Sequence, residues 1–67
     1  MSEVKNEILR TLKDAEDPIH MREIAERTNY SRKTIEKYMP LLAAEGKAEC
    51  VATVGNAKLF DLTENAR

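Results

Sequence analysis

Arg32, Lys33 and Lys37 stand close together in a stretch bounded by Ser31 and Gly46. Lys33 and Lys37 are four residues apart, one turn of an α-helix, so their ammonium groups share a face. Ile35, Met39 and Leu42 recur at the same helical spacing. At about 100° per residue, Met39 and Leu42 fall within about 40° of Ile35, and Lys33 and Lys37 fall opposite. Long cations on the outer face of a helix that is anchored by an apolar inner face suit one kind of chemistry. They bind phosphate oxygens, and they donate to the edges of guanine. Thr34 and Tyr38 flank that face on one side, with Arg32 at its N-terminal edge. Thr34 can meet a thymine methyl or a phosphate. Ser31 is a good N-cap, and the free N–H groups at a helix start suit an anion.

The chain as a whole gives no such bias. Its 67 residues carry 11 basic groups against 12 acidic ones, a net charge of −1. Residues 31–47 hold Arg32, Lys33, Lys37 and Lys47 against Glu36 and Glu45, a net +2, while residues 1–16, 17–30 and 48–67 are each net −1. Attraction to a polyanion is therefore local to one segment.

Other chemistries are excluded. One His and one Cys cannot build a zinc site. No nucleophile stands beside a base, no pair of acids fits a cleft, and there is no phosphate loop, so neither catalysis, metal nor cofactor is expected. Cys50 cannot form an internal disulfide and reads as a small packing residue on a strand. His20 reads as a helix cap, and Tyr30 as a packing residue at a turn. The longest apolar run, Leu41-Leu42-Ala43-Ala44, is far short of the roughly 20 residues of a membrane span. The charged N-terminus has no apolar segment behind it, so a cytoplasmic protein with no membrane partner is expected.

The elements that would position these groups can be read from punctuation and period. Val4, Ile8, Leu12 and Ala15 give one apolar face to a first helix over about 3–15, with Ser2 as its cap and Pro18 beyond its end. Met21, Ile24, Ala25 and Thr28 line a second helix over about 21–28. His20 and Glu23 have the spacing of a capping box, and Asn29 tolerates the left-handed conformation that stops a helix. Pro18-Ile19-His20 reads as a brief extended strand. The third helix spans about 31–45 and ends at Gly46, with a kink or loosening expected at Pro40. Cys50–Val54 and Leu59–Leu62 then form a hairpin over about 48–62 around Gly55-Asn56, its loop two or three residues long. Phe60 and Leu62 share a face and close the core. Met1, Met21 and Met39 read as core filler. Leu9, Leu41 and Leu59 are left over.

About three residues separate the second and third helices, the spacing of a helix-turn-helix. From Pro18 to Ile35 the chain resembles the winged helix-turn-helix family, through Glu23-Ile24-Ala25 and then Ser31-x-x-Thr34-Ile35. Tyr38-Met39-x-x-Leu42-x-x-x-Gly46 continues the resemblance, and Phe60-Asp61-Leu62-Thr63 is similar to the family's aromatic-x-Leu-Thr ending. The match covers about residues 4–63, nearly all of what reads as one domain over 1–67. The family's large apolar residue after the third-helix glycine is replaced by Lys47-Ala48, and Lys58 is the sole cation near the wing tip.

The resemblance implies an α+β fold of three helices followed by a C-terminal two-stranded β-hairpin wing. It implies a small prokaryotic transcriptional regulator that binds double-stranded DNA sequence-specifically, with the third helix in the major groove. The residues carrying this are Ser31, Arg32, Lys33, Thr34, Lys37 and Tyr38 on that helix, His20 and Arg22 at the start of the second, and Lys58 on the wing. A homodimer on DNA is a further expectation, through Leu9, Leu41 and Leu59. The competing expectation is a winged-helix protein–protein interaction module without direct DNA binding, which the acidic pI and weakly basic wing favour.

Overall fold

The computed structural model describes residues 3–66. Helices α1 (Glu3–Ala15), α2 (Met21–Thr28) and α3 (Arg32–Ala44) come first, with a two-residue strand β1 (Ile19–His20) between α1 and α2. Strands β2 (Ala48–Val54) and β3 (Ala57–Leu62) follow, and a 3-10 turn covers Glu64–Ala66. The expected cap at Ser2 and the packing of Met1 lie outside the described residues. This is the α+β winged helix-turn-helix arrangement that the resemblance implied. The sheet has three strands, in the antiparallel order β1-β3-β2. The extended Ile19-His20 segment pairs with Phe60 and Leu59 and so ties the wing to the start of α2. No helix among the described residues is long and apolar enough to cross a membrane.

The periodic residues build the core. Ile8 and Leu12 of α1, Ile24 of α2, and Ile35, Met39 and Leu42 of α3 are buried together with Ile19, Ala48, Phe60 and Leu62. Val4, Ala15, Met21, Ala25, Tyr30 and Tyr38 pack against this set half-buried. Leu9 also packs against the core, Leu59 is half-buried, and of the three leftover leucines only Leu41 is exposed, at 44%.

Both helix joints follow from local chemistry. Asn29 takes the left-handed conformation at φ 69° and donates its N–H to Ala25 O at 2.9 Å. Thr28 Oγ1 donates to Ile24 O at 2.7 Å and accepts from Tyr30 N at 3.3 Å, which closes the turn before Ser31. At the far end of α3, Gly46 (φ 73°) donates to Ala43 O and Lys47 N donates to Leu42 O, both at 3.0 Å. That pair of bonds is a Schellman motif and uses the freedom of glycine at positive φ. The sequence predicts a kink at Pro40, yet the helix runs unbroken from Arg32 to Ala44. Pro40 and Glu36 are both exposed, so the bond that proline removes is on the solvent side of the helix.

The wing turns on two residues, with Val54 opposite Ala57. Of the turn pair only Gly55 has positive φ, at 62°, the pattern of a type II′ turn. The register of β2 against β3 shifts between Cys50 and Ala52. Past this bulge β2 is exposed throughout, with Val51 45% and Val54 66% accessible. Cys50 is therefore exposed, not the packing residue its strand position predicts. In β3, Asp61 is buried between Phe60 and Leu62 and its Oδ1 accepts from Leu62 N at 2.7 Å.

Two expectations follow. Ile35→Ala should cost about 3–5 kcal/mol in urea unfolding, most of the stability of a domain this small, and Phe60→Ala about 3 kcal/mol. Leu41→Ala should stay within about 0.5 kcal/mol. Comparable losses at Leu41 and Ile35 would contradict the core described. The second concerns acid. Glu45 receives a hydrogen bond from Lys5 and has Lys47 Nζ at 3.3 Å, and the Lys5 contact foremost holds its carboxyl below the ordinary value of 4.5. The folded value is the lower one, so this contribution is complete above pH 4.5 and is lost as pH falls through the folded value. Glu45→Gln should therefore lose melting temperature less steeply than wild type below that pH; parallel curves would contradict the assignment.

Candidate nucleic-acid interface

The N-terminus of α2, one flank of α3 and the wing converge on a groove of about 540 Å³. His20, Arg22, Arg32 and Lys58 line it, with Glu36 among them and Met21, Val54, Ala57 and Phe60 as its apolar part. Residues far apart in sequence are thus brought to one surface by the β1–β3 pairing and by α3 packing on α2.

His20 is the N-cap of α2, and its Nδ1 accepts from Glu23 N at 3.1 Å. An accepting Nδ1 is unprotonated, so the ring proton sits on Nε2 in the neutral form. The capping box is only half formed. The Glu23 carboxylate accepts instead from Arg27 Nε at 2.8 Å, one turn further along. The Glu23–Arg27 spacing is itself a sequence signal for that competing pair.

Ser31 caps α3, its Oγ accepting from Thr34 N at 3.2 Å and lying 2.9 Å from Thr34 Oγ1. Both hydroxyls are thus engaged with each other at the helix start. Arg32 begins the helix proper and has Nε 3.4 Å from Glu36 Oε1, and Arg22 Nε is likewise 3.4 Å from Glu26 Oε1. These pairs are exposed and weak. Lys37 Nζ lies 5.6 Å from the centroid of the half-buried Tyr38 ring, a cation–π distance. Among the described residues Lys33 and Lys58 have no ion-pair partner.

The structure therefore splits the sequence-predicted residues into two sets. His20, Arg22, Arg32 and Lys58 line the groove. Lys33 and Lys37 are exposed on α3 beside it but do not line it. Ser31 and Thr34 close the helix start, and Tyr38 packs half-buried against the core and does not line the groove. Glu36 lines the groove and was not singled out by sequence. The signal for it was its place one turn after Arg32. No group of three or more His, Cys, Asp or Glu able to hold a metal ion is found among the described residues.

Comparison with known proteins bears on the fold and the family. The profile of a family described as an HTH domain matches residues 4–56. A candidate DNA-binding protein from Ralstonia eutropha JMP134 superposes with a TM-score of 0.85 at 20% identity, covering 98% of this chain and 88% of that one. A MarR family regulator from Neisseria meningitidis superposes with a TM-score of 0.82 at 22% identity, covering 98% of this chain and 47% of that one. This chain thus spans about half the length of the second protein. No curated protein matches by sequence.

His20→Ala should cost about 1 kcal/mol of stability through the lost cap, and His20→Asn, which keeps a capping oxygen, only a few tenths. Urea unfolding of the two variants distinguishes them; equal losses would mean that the imidazole stabilises α2 by packing and not by capping.

Proposed function

Because the chain belongs to the HTH domain family, we propose that it is a sequence-specific DNA-binding regulator that places α3 in the major groove of double-stranded DNA. The observation that carries this is the convergence of cations from three separate elements beside the only positively charged segment. A chain of net charge −1 gathers Arg22, Arg32, Lys33, Lys37 and Lys58 on or beside one groove. The DNA-binding and regulator descriptions of the two structural neighbours are in keeping with it.

The roles follow from reach and pairing. Lys33 and Lys37 face outward along α3 and contact base edges or phosphates. Arg32 enters from the groove side with its planar fork. The Ser31 cap holds the first turn of α3 in shape, and Thr34 helps it. His20 and Arg22 meet the backbone at the start of α2, where the helix dipole also favours phosphate. Lys58 adds one contact from the wing. Tyr38 supports Lys37 from beneath. Reading one half-site gives limited specificity, so two copies on a palindromic site are part of the proposal.

Val51 and Val54, exposed on the wing at 45% and 66%, favour a second reading in which the hairpin docks on protein. Salt separates the two. DNA binding weakens steeply as salt rises through counterion release, and apolar docking does not.

Lys33→Ala with Lys37→Ala should weaken binding to a duplex and flatten the slope of log affinity against log salt by roughly two units, about one per lost phosphate contact. Lys5→Ala with Lys13→Ala on α1 should change the slope far less. Equal effects from both pairs would mean diffuse attraction, and no duplex binding at low salt would transfer support to the protein-docking reading.

A further inference from the structure

A carboxylate has little use on a surface that meets phosphate. Glu36 nevertheless lines the groove, on α3, one turn beyond Arg32. Its pair with Arg32 has a separation of 3.4 Å with side chains 69% and 51% exposed, so solvent screens it and the fold gains little. Helix propensity does not call for it, since Gln serves as well at an exposed helical position. Its negative charge lowers affinity for every duplex alike. A group that costs general affinity and adds little stability has its natural use in discrimination.

The major groove offers one base edge that suits a carboxylate. Cytosine presents its N4 amino group as a donor, whereas the adenine amino group sits beside the N7 acceptor, which repels an anion. The guanidinium of Arg32 matches guanine O6 and N7. Side chains four residues apart on a helix stand about 5–6 Å apart, which is one to two base-pair steps of about 3.4 Å.

We propose that Glu36 is a specificity-determining residue that exchanges its contact with Arg32 for the N4 amino group of a cytosine, while Arg32 turns to a guanine. The preferred site then carries G·C pairs at two positions one or two steps apart. This inference rests on the placement of α3 in the major groove.

The test uses the full chain as wild type, Glu36→Ala and Glu36→Gln, with Glu7→Gln on α1 as a charge control. Duplexes selected from a randomised pool by the wild type should contain the paired G·C positions. Replacing the contacted cytosine by N4-methylcytosine removes the groove-facing hydrogen without breaking the base pair. That change should weaken wild-type binding about tenfold and leave Glu36→Ala unaffected. Both Glu36 variants should melt like the wild type and bind random duplex a few fold more tightly. Glu36→Gln should move the preference toward adenine, whose N6 and N7 match an amide. Glu7→Gln should leave discrimination intact. A selected site without those G·C pairs, or equal sensitivity to N4-methylcytosine in wild type and Glu36→Ala, would overturn the proposal while DNA binding stands. Absence of any duplex binding by the wild type at low salt would overturn both.

Discussion

The roll of α3 about its own axis is the constraint on which the rest of the structure depends. Ile35, Met39 and Leu42 are buried on one side of this helix, and their burial decides which residues look outward. A shift of one residue would turn the helix by about 100° and carry the lysine pair out of place. The core that holds this roll is thin. Among the described residues ten form it, and Ile8, Leu12, Ile24, Ile35 and Leu42 are the largest that are fully buried. A domain of this size has little stability in reserve, so the helix ends are fixed by hydrogen bonds instead of by further packing. Asn29 and Ser31 set where α3 begins, and the Gly46 and Lys47 amides set where it stops.

Charge follows from the same geometry. Among the described residues, three of the ion pairs lie within a helix, between side chains one turn apart that are largely open to solvent, and hold the fold only weakly. The Lys5–Glu45 pair is different, since it joins the start of α1 to the end of α3. Acidic residues on α1 and α2 balance the cations in sum but not in position. What remains around the groove is a cationic rim of Arg22, Arg32 and Lys58 with the carboxylate of Glu36 in it.

The helices and the hairpin were legible in the sequence because each is set by short-range signals. The periodicity of Ile8 and Leu12, the left-handed Asn29, the Ser31 cap and the Gly55 turn all act within a few residues of themselves. The groove was not legible in the same way, since it exists only when β1 pairs with β3 and brings His20 beside Lys58. For the same reason, a periodicity argument placed Lys33 and Lys37 outward but could not say that Arg32 faces the wing and they do not line the groove. Cys50 is exposed where alternation predicts packing, because alternation assumes a sheet covered on one face, whereas β2 is an edge strand that emerges from the core after Ala48 and bulges at Val51. Pro40 does not interrupt α3, because the bond it removes lies on the solvent side of the helix. Glu36 looked like any solvated acid until its neighbours in space were known.

In the proposed function, DNA meets the surface formed by the start of α2, α3 and the wing. An NMR titration of the full chain with a generic duplex at low salt tests it directly, because it reports on every backbone amide at once. Progressive shifts are expected at His20, Arg22, Arg32 to Lys37 and Lys58, with α1 from Glu3 to Leu12 unmoved. Shifts concentrated on α1 or spread evenly over the chain, or no shifts at all, would contradict it.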